Sequence, residues 1–330
     1  MALTFVWRLT DALDDAPLPD LPPAMPGRSL HRLLPASLVH EGVVIDQHIR
    51  EGRFQRSLSL VAGVSGLLAG LEVAYQHYRG SYSQRVMYSP LIVSLALFVA
   101  GLWGACSRRA ARTALPVVSL LTMADGIVGF VFHVRGVARK PGGWRFPVFN
   151  LIMGPPVFAP LLFAVCGYLG LIAALLRRED APQGSQEGLS RAGVSGRQVR
   201  EGRFQRQLAV AAALSALFSG IEALYAHYKD NFTYGVQWTP VVLTPLLVVA
   251  GVGTIWSRRI AHTLLPVVSV LALLDGAVGT FYHARGILRR PGGLKLPLYN
   301  LLYGPPIFAP LLFAASGFMG LLASLLRWEE

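Results

Sequence analysis

Asp125 and His133 stand eight residues apart inside an apolar stretch, LPVVSLLTMADGIVGFVFHVRG, that runs from Leu115 to Gly136. The arrangement returns as Asp275 and His283 in LPVVSVLALLDGAVGTFYHARG, Leu265 to Gly286. A second acid and imidazole, Glu72 and His77, belong to an earlier apolar run and recur as Glu222 and His227. An ionisable group at mid-bilayer depth costs roughly 2.5–3.5 kcal/mol on insertion scales, so it marks a functional site by default. Each half of the chain thus offers two carboxylates and two imidazoles.

Two imidazoles and a carboxylate suit a transition metal (Fe, Zn or Cu), and a second carboxylate can bridge a dinuclear site. The expectation is a metal site of Glu72, His77, Asp125 and His133, with a twin of Glu222, His227, Asp275 and His283. His77, His133 and Glu72 form the expected inner set, with Asp125 beneath as ligand, orienting group or proton acceptor. Such a site would serve a metal-dependent oxidoreductase acting on a lipid-soluble substrate. No motif decides whether the chain is an enzyme.

Three other readings use the same residues. A ladder of imidazole, carboxylate and deeper carboxylate resembles a proton relay, hence a proton- or ion-coupled transporter. Against that, no ionisable residue repeats in the cytoplasmic half of these spans, so the ladder ends at mid-depth. His77 and His133 as axial ligands would make a haem-binding electron-transfer subunit, less favoured because acids lie just beneath them. The plainest reading is a non-catalytic accessory protein, its polar groups bonded to one another or to Arg135 and Arg139 at about 0.6 kcal/mol per contact.

Helix geometry orders these residues in depth. Glu72 lies about 7.5 Å deeper than His77, and Asp125 about 12 Å deeper than His133. Eight residues turn a helix through about 80°, so Asp125, Gly129 and His133 share a stripe, with Gly129 leaving room beside it. Five residues turn it through about 140°, so Glu72 and His77 share a cavity only if the helix end bends. Arg135, Arg139, Arg285 and Arg289 stand above and are expected to hold lipid phosphates or another anionic ligand, unless they pair with the acids below.

The elements that position these groups are apolar runs. Of 330 residues, 53% are hydrophobic and 15% charged, and the mean hydropathy is +0.47. The net charge of +12 does not indicate nucleic acid, because the basic residues sit in short clusters between apolar runs, as membrane insertion produces. Cys106 and Cys166 have Trp256 and Ser316 as counterparts, which argues against a structural disulfide or a thiolate site. The first 50 residues lack the pattern of a cleaved secretory signal, leaving the first span as the insertion signal.

EGRFQR opens at Glu51 and again at Glu201, an offset of 150 that holds without a gap to the C-terminus, with about half of the paired positions identical. Each copy contains four apolar runs. In the first they are near Leu58–Gln76, Pro90–Cys106, Thr113–Val134 and Pro155–Leu176. In the second they are near Leu208–Ala226, Pro240–Trp256, Thr263–Ala284 and Pro305–Leu326. The expected fold is therefore an all-α integral membrane protein with eight transmembrane helices, as two tandem parallel four-helix repeats. Its parts are an N-terminal cytoplasmic arm (1–50), a first repeat (51–180), a flexible Gly/Ser-rich cytoplasmic linker (181–200) and a second repeat (201–330).

With both termini cytoplasmic, that side carries 19 of the 30 Lys and Arg residues and the other side 11. The long connection RGVARKPGGWRFPVFNLIMGPP is expected to be a connector ending in a helix start at Pro155–Pro156, with a fold-back lid as the alternative. Ala164, Gly167, Gly170 and Ala173, repeated as Ala314, Gly317, Gly320 and Ala323, predict a close helix–helix face.

Overall fold

The computed structural model describes residues 53–175 and 203–325. The arm over 1–50 and the linker over 181–200 lie outside the described residues. In the first half, Arg53–Arg79 forms α1, Ser89–Cys106 α2, Arg108–Arg112 α3, Ala114–Ala138 α4, Pro147–Ile152 α5 and Ala159–Leu175 α6. The second half contains α7 (Arg203–Lys229), α8 (Thr239–Gly253), α9 (Arg258–His262), α10 (Leu264–Leu288), α11 (Pro297–Tyr303) and α12 (Ala309–Leu325). Each helix of the second series starts 150 residues after its counterpart, as 203 − 53 shows for the first pair. There is no strand among the described residues.

Six helices are long and apolar enough to cross a membrane, which marks a multipass membrane protein. These are α1, α4, α7 and α10, with α2 and α8 each extended by a preceding 3₁₀ turn, Arg85–Tyr88 or Gly235–Trp238. A helix suits this setting because it satisfies its own backbone where water is missing. The fourth apolar runs are shorter than expected. Among the described residues α6 and α12 cover 17 residues each, about 26 Å against a hydrocarbon core of about 30 Å. The cause is local: Pro155 and Pro156 have no N–H and bias preceding residues away from helix, so 155–158 stay irregular and α6 opens at Ala159. α8 also stops early, at Gly253 rather than near Trp256, with Gly251 and Gly253 weakening its last turn.

Within each half, α1 lies against α2 and α6, and α4 against α6 and α2; α7, α8, α10 and α12 repeat the pattern. The small-residue face forms as expected. A Cβ on Gly126 would stand 2.5 Å from the Pro160 carbonyl oxygen, and one on Gly167 2.6 Å from that of Ser119. The halves meet where α1 and α6 face α7 and α12, around one shared core that includes Leu58, Ala62, Leu169, Leu208, Ala212 and Met319.

The end of the bundle remote from Arg53 and Arg203, the distal end, carries the long connections. Each folds back on itself rather than running straight to the next helix. Asn150 is buried, and its Nδ2 donates to the carbonyls of Pro141 (3.1 Å) and Gly143 (2.7 Å). Asn300 does the same to Pro291 and Gly293 at 3.2 and 3.0 Å. Gly142 and Gly292 supply the left-handed turn at φ 78° and 83°. α5 then touches α7, and α11 touches α1, so each connection reaches the opposite half.

Candidate polar site

Asp125 does not face the bundle interior. It is half-buried on a side of α4 whose neighbours Leu121, Val128 and Phe132 are exposed, and Asp275 has the same setting on α10. Each acid meets the first residue of the adjoining helix. The Ser89 hydroxyl, which opens α2, stands 2.6 Å from Asp125 Oδ1 and 2.8 Å from the Val86 carbonyl, so its single proton serves one of them at a time. In the second half, the Thr239 hydroxyl at the start of α8 donates to the Val236 carbonyl at 2.7 Å and lies beside Asp275.

The four histidines clamp chain connections. His77 Nδ1 pairs with the Met87 carbonyl at 2.8 Å, and His227 Nδ1 with that of Gln237 at 2.9 Å. His133 Nδ1 pairs with the Pro156 carbonyl and His283 Nδ1 with that of Pro306, each at 2.5 Å. A carbonyl only accepts, so the neutral rings carry their proton on Nδ1 and leave Nε2 as a bare lone pair. His77 lies close enough to Asp125 and His133 to act on both electrostatically, as His227 does on Asp275 and His283.

The glutamates go elsewhere. Glu222 Oε1 accepts the backbone N–H groups of Phe158 and, at 3.2 Å, Ala159, where α6 of the other half begins. Glu72 Oε2 accepts the N–H of Phe308 at 3.2 Å, just before α12. Each carboxylate thus caps a helix N-terminus in the opposite half, where unpaired N–H groups and the helix dipole favour an anion. Phe158 also stacks on Phe218 across the same boundary, with ring centroids 5.2 Å apart. Arg79 lies near Glu72 and Lys229 near Glu222. The hydroxyl of Tyr75, and that of Tyr225, is buried beside this cap without a hydrogen bond of good geometry.

Glu72 and Glu222 thus lie at helix starts of the opposite half, whereas His77, His133, His227 and His283 hold chain connections. The five-residue spacing turns glutamate and histidine to different sides of the helix. Among the described residues no three His, Cys, Asp or Glu side chains converge to hold a metal ion. Gly129 is not a vacancy beside the acid either, since a Cβ there would stand 2.9 Å from the Pro160 ring.

Two open spaces border the α4 and α10 stripes. A groove of about 440 Å³ between α8 and α10 is walled by Trp238, Val242, Leu271, Leu274 and Val278, and Asp275 is its one ionisable lining residue. A cavity of about 280 Å³ in the first half is lined by Gln84, Phe132, Gly136, Arg135 and Arg139. Among the described residues neither arginine forms an ion pair, so the expected fallback of pairing with the acids below does not occur. Arg289 is exposed and Arg285 half-buried at the matching places on α10.

No protein-family model matches this chain, and neither does a curated protein or a solved structure. The chemistry of the site therefore rests on its own geometry. Sequence reasoning missed Ser89 and Thr239, although hydroxyl residues at the same place in both copies were a usable signal. It also missed the carbonyl partners of the histidines, which no side-chain pattern encodes.

Proposed function

We propose that the chain is an eight-span membrane protein of two tandem four-helix repeats, each holding a lipid-soluble ligand in an outward groove beside Asp125 or Asp275. The Lys and Arg bias sets both termini in the cytoplasm and the distal end outside. The short α6 and α12 fit as spans because their N-termini, which stop within hydrocarbon depth, receive glutamates in place of water.

The observation that carries the ligand reading is the groove at Asp275, with apolar walls and one ionisable group. Intramembrane acids almost always face the bundle interior, and one turned outward meets acyl chains that offer it no hydrogen bond. A ligand with an apolar body and a hydroxyl, amide or amine group satisfies both surfaces. The Thr239 hydroxyl beside Asp275 donates to the Val236 carbonyl, so the carboxylate keeps accepting capacity for that donor.

Extraction of the purified full-length protein, followed by analysis of retained small molecules, tests this reading. One amphiphile per half is expected in the wild type, lost on filling the grooves with Val128→Trp and Val278→Trp. Both positions are exposed, so the variant is expected to keep the wild-type unfolding midpoint. Equal retention by that variant, or no retention by the wild type, overturns the proposal.

A metal remains the second reading, favoured by the Nδ1 bonds, which leave Nε2 lone pairs in the form that binds Fe, Zn or Cu. Metal analysis of the same preparation decides it. Loss of one ion per half in His133→Ala with His283→Ala supports a metal; a metal-free wild type removes it.

A further inference from the structure

The groove on α10 and the arginine cavity on α4 lie at successive levels of two matching stripes, one in each half. Along α10, Leu271, Asp275, Val278, Tyr282, Arg285 and Arg289 follow one another at alternating steps of four and three residues, which keeps them on one face. α4 repeats the series as Leu121, Asp125, Val128, Phe132, Arg135 and Arg139. The face points outward: Val278 is 44% exposed, and Tyr282 and Phe132 are each 40% exposed. Ten residues separate the aspartate from the nearer arginine, about 15 Å of helix. That is about half the thickness of a hydrocarbon core, so the arginines stand at headgroup level when the acid is at mid-depth.

Three kinds of chemistry therefore follow one another along each stripe: a pair of cations one turn apart, an apolar stretch, then an acceptor. Guanidinium forks match the oxygens of carboxylate and phosphate. Gln84 adds a polar side chain to the cavity that holds Arg135 and Arg139, and among the described residues no protein carboxylate answers them. Resting on the groove reading above, we infer that the ligand is an acidic amphiphile. Its carboxylate or phosphate head lies between Arg135 and Arg139, or Arg285 and Arg289, and it carries a hydroxyl or amide about 15 Å down its chain at the aspartate. A long-chain hydroxy acid is the simplest molecule of this class.

The test compares ligands on one unaltered protein, so it does not depend on a variant folding. The delipidated full-length chain in detergent is titrated with 12-hydroxyoctadecanoate, its methyl ester and octadecanoate, and stabilisation against thermal unfolding gives apparent affinities. Eleven bonds separate the carboxyl carbon from the hydroxyl-bearing carbon, about 14 Å of extended chain. The ester is expected to bind roughly thirtyfold more weakly, the loss of the charged head at two basic residues. Octadecanoate is expected to be about tenfold weaker for want of the donor.

Replacing all four arginines by Gln is expected to abolish the preference for acid over ester, while the preference for the hydroxylated chain stays. Asp125→Asn with Asp275→Asn is expected to shrink only the latter. An ester that binds as well as its acid overturns the headgroup assignment and leaves the groove reading standing. An octadecanoate that binds as well as the hydroxy acid overturns the contact at the aspartate. If no ligand binds better than it does to Val128→Trp with Val278→Trp, the groove reading itself fails. Inorganic phosphate is expected not to compete, and full competition by it would overturn an amphiphile as the occupant.

Discussion

Ser89 and Thr239 govern how two membrane acids are held, because each opens a helix beside a half-buried aspartate. Ser89→Ala leaves Asp125 without its protein donor, and Thr239→Val removes the hydroxyl beside Asp275. The expected loss is about 1–3 kcal/mol at each site, read as a lower thermal midpoint in detergent. An unchanged midpoint would show that the hydroxyls are dispensable. His133 makes a separate prediction through the Pro156 carbonyl. His133→Ala is expected to lose about 1 kcal/mol, and His133→Asn, which retains an N–H donor, to recover part of it. These acids and histidines were legible in the sequence because an apolar run makes any polar residue conspicuous. Their partners were not. A hydroxyl at a helix start and a carbonyl in a connection resemble many others until the fold brings them near.

At the scale of elements, six of the eight apolar runs form helices long enough to span a membrane, and the small-residue face forms, since both are patterns within a single helix. The length of α6 was misread because Pro155 and Pro156 look like a helix start but hold 155–158 irregular. The long connection was also more structured than expected. Asn150 and Asn300 supply the bonds that fold it back, and that role depends on carbonyls seven and nine residues away. Close packing here can be checked by substitution. Gly126→Val places a branched side chain where Pro160 and Ala164 already stand, and about 1–3 kcal/mol of destabilisation is expected. Gly235→Ala is the control: nothing lies within 4 Å of its Cβ, so the expected change stays within about 0.5 kcal/mol. Equal effects at the two positions would contradict the packing described for α4 and α6.

For the whole molecule, the decisive contacts are the glutamate caps across the boundary between halves. Glu72→Ala with Glu222→Ala strips each cap, at an expected cost of about 2 kcal/mol per helix or more where water cannot substitute. Cleavage at a protease site introduced within 181–200 gives the readout. Wild-type halves are expected to stay together in mild detergent, and the double variant to come apart; separation of the wild type would refute the interlocked arrangement. This feature was out of reach of the sequence, where Glu72 and Phe308 stand 236 positions apart. The exchange is also even-handed, for each half gives a carboxylate and receives one at the same place. That is the form of contact by which two identical subunits close around a twofold axis. Two copies of a single half, joined by the same contact, would have every cap satisfied. The two halves nevertheless differ at Gln84 against Tyr234 and Phe132 against Tyr282 within the matching surface.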